Sequence, residues 1–363
     1  MPTLFNPLTL GAMNLTNRVL MAPMTRGRAT RDHIPTAMMA DYYAQRAAAG
    51  LIISEAVGIS RQGLGWPYAP GLWSDEQVEA WRPVTRDVHQ KGGLIVAQLW
   101  HMGRMAHSSL TGEQPVSSSA TATPGEAHTY DGKQPYEVAR PLEVGEIPGV
   151  ISHYVRAARN AITAGFDGVQ IHAGNGQLID QFLRNNGNAR TDEYGGSIGN
   201  RLRLLQQVTR AVADAVGADR TSVRLSPNGE TYGVDDSDPT PLFIAAARVL
   251  NDIGIAFLEL KEASPNGTFI STDVPRQSPM MRAHFAGPMI LNSDYDLARA
   301  QVDLDSGLAD AISFGRPFLA NPDLVERLIG NLPLNEVQND TLYTQGAEGY
   351  IDYPSMADTN VFA

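Results

Sequence analysis

The chain has 363 residues, of which 43% are hydrophobic, and its 34 glycines and 23 prolines are spread along the sequence as in a globular protein that buries a full core. The 39 acidic and 28 basic residues give a net charge of −11 without a basic block, so nucleic acid is not an expected partner. The absence of cysteine excludes disulfides, thiolate nucleophiles and cysteine-ligated zinc or iron–sulfur centres.

Short runs rich in Val, Ile and Leu alternate with helical patterns along the chain. The predicted strands are Val19–Ala22, Leu51–Ser54, Leu94–Leu99, Gly168–His172, Ser222–Leu225, Ala256–Leu260, Met289–Leu291 and Ala311–Phe314. The predicted helices are Ala37–Ala48, Asp75–Gln90, Glu146–Ala164, Gly199–Val216, Pro239–Ile253 and Leu297–Ser306. Near-continuous apolar runs are typical of parallel strands covered on both faces. The pattern predicts an α/β fold, a closed (β/α)8 TIM barrel.

Glycines mark the ends of several predicted helices, where a left-handed residue closes a helix at little cost. They are Gly50, Gly92, Gly165, Gly254 and Gly307. A doubly wound open sheet is the alternative fold. It is less favoured, because no G-x-G-x-x-G fingerprint follows the first predicted strand.

Two segments go beyond a minimal barrel. Residues 8–17 read as a hairpin that would close the bottom of the barrel. Residues 107–141, rich in Ser, Thr, Gly and Pro, form a long capping insertion after the third strand. Such a loop lies at the catalytic face of a barrel, so it is expected to form a lid or a wall of the substrate pocket, with a solvated loop as the alternative. We expect residues 1–363 to form one domain.

Polar residues follow the predicted strands at their C-terminal ends, where barrel enzymes carry their active sites. In strand order these groups are Ala22, Pro23, Met24 and Thr25; Glu55 and Ala56; Gln98, Trp100 and His101; His172 and Asn175; Arg224; Asn292 and Ser293; Gly315 and Arg316. Together they indicate one large polar ligand across the mouth of the barrel.

The last two strands are expected to bind a phosphate group, as loops after strands seven and eight commonly do in barrels. Asn292 and Ser293 follow the seventh strand. Gly315 would let backbone amides approach an anion, and Arg316 would supply a bidentate partner. An arginine that only pairs with a neighbouring helix is the alternative.

His172 and Asn175 lie three residues apart at the junction between the fourth strand and its helix. Both can donate an N–H to one oxygen, and two donors on a carbonyl or nitro oxygen stabilise the charge that develops when the β-carbon accepts hydride. Taken alone, the pair is better explained by a structural histidine and a helix-capping asparagine. The neighbouring strand ends favour the chemical interpretation.

Three further residues match the edge of a flavin. Arg224 would bring positive charge to the barrel centre, where it favours an anionic reduced flavin. Gln98 offers a donor and an acceptor to the pyrimidine edge of the ring, and Thr25 could donate near N5 or O4. A buried polar network that only stabilises the barrel is the alternative for Gln98 and Arg224.

Motifs along nearly the whole chain resemble those of the old yellow enzyme family of FMN-dependent ene-reductases, in particular its bacterial branch with Thr in place of Cys at position 25. They are N-R-V-L-M-A-P-M-T-R at 17–26, D-Y-Y-A-Q-R-A at 41–47, Q-L-W-H-M-G-R at 98–104, G-F-D-G-V-Q-I-H-A at 165–173, R-T-D-E-Y-G-G-S at 190–197, N-R at 200–201, R-L-S-P at 224–227, F-G-R-P-F at 314–318, N-P-D-L at 321–324 and G-Y-I-D-Y-P at 349–354. Their order and spacing carry the resemblance.

The resemblance implies a tightly bound FMN and NAD(P)H as co-substrate in a ping-pong cycle on activated alkenes. It implies FMN contacts from the strand-end residues, including Ala22, Pro23, Met24, Thr25, Ala56, Gln98, Arg224, Asn292, Ser293, Gly315 and Arg316. His172 and Asn175 would bind the substrate oxygen. Trp66, Trp100, Phe269 and Tyr343 would line the substrate side.

Position 177 departs from the family pattern. The family usually has H-A-A-N-G-Y-L here, whereas this chain has H-A-G-N-G-Q-L at 172–178. The family tyrosine is its proton donor to the α-carbon. A phenol with a pKa of about 10 can release a proton, but the carboxamide of Gln177 cannot. We therefore expect water, or a relay through Tyr343, to supply the proton, and Gly174 to add freedom to the turn.

Two other functions remain open at this stage. A flavin-free phosphosugar lyase or isomerase would share the barrel and phosphate site, with Lys261 or Glu55 as its reactive group. A non-catalytic flavin carrier is compatible with Gln177. Iron–sulfur dienoyl reductases are excluded because the sequence has no cysteine.

The N-terminal sequence lacks the pattern of a secretory signal, and no apolar run approaches the roughly 20 residues of a membrane helix. We expect a cytoplasmic monomer or homodimer whose partners are small-molecule alkenes and NAD(P)H, without a membrane, nucleic-acid or metal partner.

Overall fold

The computed structural model describes residues 2–359, so Met1 and residues 360–363 of the expected 1–363 domain lie outside the described residues. The strands, in chain order, are β1 (Leu8–Leu10), β2 (Met13–Leu15), β3 (Val19–Met21), β4 (Leu51–Gly58), β5 (Ile95–Trp100), β6 (Val116–Ser117), β7 (Glu126–Thr129), β8 (Gly132–Pro135), β9 (Arg140–Pro141), β10 (Gly168–His172), β11 (Thr221–Leu225), β12 (Phe257–Lys261), β13 (Met289–Asn292) and β14 (Ala311–Phe314).

A closed barrel of parallel strands forms the centre of the fold, in the order β3, β4, β5, β10, β11, β12, β13, β14. The eight predicted strands and the barrel topology are therefore confirmed. Pairing of Ile312 with Val19 closes the barrel between β14 and β3. Strand β4 runs further than predicted, because a register shift between Ile53 and Ala56 lets it continue beside β5 as far as Gly58.

Helices surround the barrel, and each predicted helix is present with bounds that differ by at most a few residues. They are α1 (Ala37–Gln45), α2 (Asp75–Gln90), α3 (Ser108–Thr111), α4 (Ile147–Thr163), α5 (Leu178–Leu183), α6 (Ile198–Val216), α7 (Pro239–Ile253), α8 (Ser278–Arg282), α9 (Leu297–Asp305), α10 (Arg316–Ala320), α11 (Leu324–Ile329) and α12 (Met356–Thr359). A capping box between Ser74 and Gln77 begins α2. Within residues 2–359, every helix is too short or too polar to cross a membrane.

The N-terminal hairpin closes the bottom of the barrel, as predicted. Strands β1 and β2 pair antiparallel, and Leu10, Met13 and Leu15 are almost fully buried. They pack in one cluster with interior side chains of the barrel, such as Ile53 and Phe257. The lower barrel interior is therefore apolar, which leaves the polar strand ends at the opposite face.

The helix-ending glycines adopt the expected left-handed conformation, with one exception. Gly92, Gly165, Gly254 and Gly307 have φ angles of 80°, 95°, 75° and 71°. Gly50 is not left-handed. It is required for another reason, because a Cβ at this position would lie 2.1 Å from the carbonyl oxygen of Asn17.

The insertion between β5 and α4 has a structure of its own. Strand β6 pairs parallel with β9, and β7 pairs antiparallel with β8. This small structure brings His128 of β7 against Trp66, with ring centroids 4.1 Å apart, and Tyr136 into the wall of the cavity described below.

Candidate active site

One cavity of about 860 Å³ opens at the C-terminal ends of the barrel strands. Cofactor and small-molecule sites typically measure roughly 300–1,000 Å³. Every residue expected for an FMN-dependent ene-reductase lines it: Ala22, Pro23, Met24, Thr25, Ala56, Trp66, Gln98, Trp100, His172, Asn175, Gln177, Arg224, Phe269, Asn292, Ser293, Gly315, Arg316 and Tyr343. The fold thus brings all these side chains to one place. The strand-end residues Glu55 and His101 lie outside the lining of the cavity.

The turn after β10 carries the three predicted catalytic residues. His172 is the last residue of β10, and Asn175 and Gly176 follow in left-handed conformation with φ angles of 53° and 72°. Asparagine and glycine adopt this conformation most readily. A Cβ at Gly176 would also lie 2.7 Å from the carbonyl oxygen of Thr231. The turn places Gln177 at the N-cap of α5.

His172 is poised as a neutral hydrogen-bond donor. Its side chain is buried, and burial, reinforced by the cations of Arg224 and Lys261, holds the pKa of His172 well below its usual range. A neutral imidazole carries one N–H. The Nδ1 atom is buried and has no hydrogen-bond partner among residues 2–359. The ring therefore retains hydrogen-bonding capacity for a ligand.

Ser226 fixes the orientation of the Asn175 side chain. The backbone N–H of Asn175 donates to Ser226 Oγ at 3.1 Å, and the Ser226 hydroxyl donates to Asn175 Oδ1 at 2.8 Å. Because its oxygen is engaged, the carboxamide keeps its Nδ2 group as the donor for a ligand.

Gly174 allows this close approach. A Cβ at Gly174 would lie 2.6 Å from both the nitrogen and the Oγ of Ser226. Gly174 therefore leaves no room for a side chain beside Ser226. The added freedom expected of the turn at Gly174 stays a prediction.

Gln177 places a carboxamide, and not an acid, in the wall of the cavity. The side chain is 4% exposed, and its Oε1 atom is buried without a hydrogen-bond partner in the described part of the chain. A carboxamide donates and accepts hydrogen bonds but has no proton to release at ordinary pH. The site therefore has a polar group here that can bind a ligand or water.

Arg224 is a buried cation with unused donors. Its Nη2 group donates to Asn292 Oδ1 at 2.9 Å, and its Nη1 lies 3.4 Å from Glu259 Oε1. Nε and Nη1 have no hydrogen-bond partner within residues 2–359. Burial lowers the pKa of Arg224 and the carboxylate of Glu259 opposes that shift, but a guanidinium stays protonated in proteins. The arrangement suits the anionic edge of a ligand.

Gln98 belongs both to the cavity and to a buried polar network. Its side chain is 2% exposed, and its Nε2 group donates to Gln170 Oε1 at 2.8 Å. The two interpretations of the sequence are therefore compatible, because one end of the amide engages the barrel interior and the other is available to a ligand.

The loops after β13 and β14 meet at the expected phosphate end of the cavity. Ser293 and Asp294 have consecutive positive φ angles of 109° and 51°, and such turns expose backbone N–H groups that suit anions. The exposed Arg316 lies in the same wall and donates to the carbonyl oxygen of Thr268 at 3.2 Å. These features fit a phosphate group.

Aromatic side chains form the outer wall. Trp66 lies against Tyr343 with ring centroids 4.7 Å apart. Trp100 is 3% exposed, and its Nε1 atom has no hydrogen-bond partner among the described residues. Phe269 is largely exposed, and the Nζ atom of Lys261 lies 3.9 Å from its ring centroid.

Several cavity residues were not predicted for a flavin site, among them Tyr136, Tyr232 and Lys261. Tyr136 lies in the insertion that was expected to form a pocket wall, so the segment was predictable but the residue was not. Burial raises the pKa of Tyr136 to about 12. The sequence points to Lys261, at the end of β12, only as the reactive group of the lyase alternative and not as part of a flavin site.

The lyase alternative depended on Glu55 and Lys261. Glu55 is 1% exposed and accepts hydrogen bonds from the backbone N–H groups of Arg26 and Gly27, both at 3.1 Å, so its carboxylate is already engaged. Lys261 does line the cavity, and burial, followed by the charge of Arg224, lowers the pKa of Lys261 to about 7. Within residues 2–359, no group of three or more His, Asp or Glu residues is placed to hold a metal ion.

Comparison with known proteins identifies relatives over nearly the whole chain. Residues 3–335 match the NADH:flavin oxidoreductase / NADH oxidase family. A probable flavin mononucleotide-dependent alkene reductase from Leishmania infantum is 41% identical over 360 residues, which cover 97% of each chain. A chanoclavine-I aldehyde reductase from Penicillium roqueforti is 43% identical and covers 99% of this chain and 98% of its own.

Solved structures agree with the sequence relatives. The old yellow enzyme homologue from Zymomonas mobilis superimposes with a TM-score of 0.97 at 59% identity, covering 97% of this chain and 99% of its own. Morphinone reductase superimposes with a TM-score of 0.94 at 44% identity, covering 99% of this chain and 97% of its own. A further structure of morphinone reductase is a complex with tetrahydroNAD.

Proposed function

The chain belongs to the old yellow enzyme family of NADH:flavin oxidoreductases, and we propose that within this family it is an FMN-dependent ene-reductase. Its substrates would be alkenes activated by a carbonyl or nitro group, namely enones, enals, nitroalkenes, maleimides and quinones. An alkene reductase and morphinone reductase among its relatives support this substrate class. NAD(P)H and the alkene would use the one cavity in turn, in a ping-pong cycle.

The cavity fits FMN by the chemistry of its donors. We assign the flavin ring to Thr25, Gln98 and Arg224, because the unpartnered nitrogens of Arg224 suit an anionic ring edge. We assign the phosphate to Asn292, Ser293, Gly315 and Arg316. Ala22, Pro23, Met24 and Ala56 complete the binding surface. When bound there, FMN supplies the hydride-transfer chemistry.

His172 and Asn175 carry the proposal. They stand on one turn with free hydrogen-bonding capacity, and both face the same cavity as Arg224. Two donors on the substrate oxygen polarise the alkene and stabilise the enolate- or nitronate-like charge that develops on that oxygen. Since His172 is neutral, it donates a hydrogen bond without giving its proton away.

Protonation of the α-carbon is the step in which this chain departs from its family. Gln177 can bind a water molecule but cannot act as the acid. Tyr343 lies in the same wall and is 48% exposed, and its phenol is protonated at ordinary pH, so it can pass a proton from solvent. We propose that solvent, directly or through Tyr343, supplies this proton. Trp66, Trp100 and Phe269 would position the substrate.

The proposal is tested with purified protein under anaerobic conditions. A bound flavin that is bleached by NADH or NADPH, and restored by cyclohexenone or a nitroalkene with formation of the saturated product, is the expected result. Bleaching without restoration by any activated alkene would indicate a flavin carrier. A colourless protein that cannot bind FMN would contradict the cofactor assignment.

The expected single domain, monomeric or homodimeric state and cytoplasmic location remain predictions. Light scattering combined with size-exclusion chromatography measures the oligomeric state, and fractionation of the source cells measures the location.

A further inference from the structure

The upper barrel interior contains a buried carboxylate that lies outside the cavity wall. Glu259 is in the middle of β12 and is 0% exposed. Its Oε2 atom accepts from Gln170 Nε2 at 2.8 Å, and its Oε1 atom accepts from the Ser313 hydroxyl at 2.6 Å. Arg224 Nη1 lies 3.4 Å from the same Oε1. A buried charge is costly unless it is paired and hydrogen-bonded. The contacts of Glu259 meet that condition, and they connect it to residues of the cavity wall.

The neighbours of Glu259 indicate its charge. Gln170 and Ser313 each donate a hydrogen bond to one of the two carboxylate oxygens, and the Arg224 guanidinium forms an ion pair with Oε1 without a hydrogen bond. Hydrogen bonds donated to a carboxylate favour its ionised form. Glu259 is therefore an anion beneath the cavity, and it partly balances the charge of Arg224.

Glu259 also determines the direction of the hydrogen-bond chain that leads to the cavity. An ionised carboxylate only accepts, so Gln170 must present its NH₂ group to Glu259 and its Oε1 atom to Gln98. Gln98 must then present its NH₂ group to Gln170, which leaves the Oε1 atom of Gln98 free. A ligand at this point of the cavity has to offer a hydrogen-bond donor, an N–H or an O–H.

We propose that Glu259 is a positioning residue for the flavin, acting through two partners. Through Arg224 it moderates the positive charge beside the flavin and so keeps the reduction potential low. Through Gln170 it fixes Gln98 as an acceptor for the N–H of the flavin pyrimidine ring. The proposal rests on the FMN placement given above.

The first test is the potential of the bound flavin in the Glu259→Gln holoenzyme, measured by dye-coupled reduction. Loss of the anion leaves Arg224 unbalanced, which favours the anionic reduced flavin. We expect the ratio of reduced to oxidised flavin at a fixed ambient potential to rise about tenfold, equivalent to about 30 mV for this two-electron couple. Glu262→Gln is the matched control. Glu262 is 3% exposed and pairs with Arg276 outside the cavity, so we expect no shift from it.

The second test separates the charge of Glu259 from its hydrogen bond. Glu259→Asp keeps the charge but withdraws the carboxylate from Gln170, so the potential should stay near that of the parent while FMN is released faster on dilution, as seen by flavin fluorescence. Gln170→Met should speed FMN release similarly, and adding Glu259→Asp to it should have little further effect.

The outcomes distinguish this proposal from the proposed function. The role of Glu259 would be refuted if the Glu259→Gln holoenzyme had the same flavin reduction potential as the parent. It would also be refuted if Glu259→Asp or Glu262→Gln shifted that potential as much as Glu259→Gln does. Failure of the parent protein to bind FMN, or to be reoxidised by any activated alkene, would instead overturn the proposed function. If Glu259→Gln does not fold, Glu259→Asp and Gln170→Met still decide, because unchanged FMN release in both refutes the hydrogen-bond chain.

Discussion

Position 177 separates hydride transfer from protonation at the scale of single residues. We predict that Gln177→Tyr increases turnover and stereoselectivity with cyclic enones, because a phenol can deliver the proton that a carboxamide cannot. The increase in turnover and stereoselectivity should be smaller with nitroalkenes, because solvent can protonate their reduced anions. Product analysis by chiral chromatography in deuterated water, with Gln177→Leu as control, measures both effects.

The comparison with Gln177→Leu distinguishes an acid from a water-binding group. Leucine removes hydrogen bonding altogether, so it should slow the reaction below the level of the parent. Unchanged turnover and stereochemistry in Gln177→Tyr for both substrate classes would refute this account of position 177.

Ser226 controls whether Asn175 presents a donor to the substrate. We predict that Ser226→Ala lowers kcat/KM for enones about three- to tenfold, corresponding to the roughly 0.5–1.5 kcal/mol of one neutral hydrogen bond, because the Asn175 amide is then free to turn. Steady-state kinetics over a range of alkene concentrations measures the loss.

Ser222→Ala is the matched control for this variant. Ser222 lies on β11, the strand that Ser226 directly follows, and is similarly buried, but it donates only to the carbonyl oxygen of Val169. An equal loss of activity in both variants would indicate general destabilisation of β11 and not the loss of Asn175 orientation.

At the scale of elements, the C-terminal segment is held over the cavity by arginines from the loop after β3. Arg28 donates to the carbonyl oxygens of Leu342 and Thr341, both at 2.7 Å, and to Thr344 Oγ1 at 2.9 Å. Its guanidinium also lies 4.7 Å from the ring centroid of Tyr350. Residues 341–349 include Tyr343, so these contacts position one wall of the cavity.

We predict that Arg28→Met loosens this wall. Amide hydrogen exchange over residues 341–349 should accelerate, and KM for alkenes should rise more than kcat falls, because Tyr343 is no longer held in place. The control is Arg31→Met, since Arg31 lies over Tyr130 at the surface. Unchanged exchange in Arg28→Met would show that other contacts hold the segment.

These elements also show how far the sequence could predict the structure. Alternating apolar runs and helix-ending glycines were sufficient for the barrel and its surrounding helices, because the signals are local. The link between Arg28 and residues 341–349 joins positions more than 300 apart, and no local pattern indicates it. The pairing of β6 with β9 inside the insertion escaped prediction because both strands are only two residues long.

The site was predictable to a similar extent. Residues at strand ends, such as His172 and Arg224, follow from the rule that barrel chemistry lies there. The residues that hydrogen-bond or pair with them could not be predicted in this way, because Glu259 and Gln170 lie within strands whose sequence pattern indicates only that they are buried. The confinement of Gly174 by Ser226 likewise depends on a contact between β11 and the turn after β10.

At the scale of the whole molecule, a protein of net charge −11 places Arg224, Lys261 and Arg316 in the lining of its cavity. Lys261 has a pKa of about 7 in the folded chain, lowered by burial and then by Arg224, against roughly 10.4 when unfolded. Between these values the unfolded chain holds a proton that the folded chain has lost, so the contribution of Lys261 to stability rises with pH. Below pH 7 the amine is charged in both states, and the cost of burying it is greatest.

We therefore predict that Lys261→Met stabilises the flavin-free protein at low pH and that this advantage shrinks as the pH rises above 7. The difference in unfolding free energy between variant and parent should change by at most about 1.4 kcal/mol per pH unit. Urea titrations across this range measure it, with the exposed Lys91→Met as control. A difference that is independent of pH would contradict the buried, weakly basic amine.

The most direct test of the whole account is the reoxidation of the reduced holoenzyme by an enone when His172 and Asn175 are both changed to alanine. Reduction with dithionite avoids any effect on NAD(P)H binding, and stopped-flow absorbance then follows the flavin alone. The account predicts a reoxidation rate at least about 100- to 1,000-fold below that of the parent, with the flavin still bound, because both donors to the substrate oxygen are lost. Reoxidation at the parental rate would contradict it.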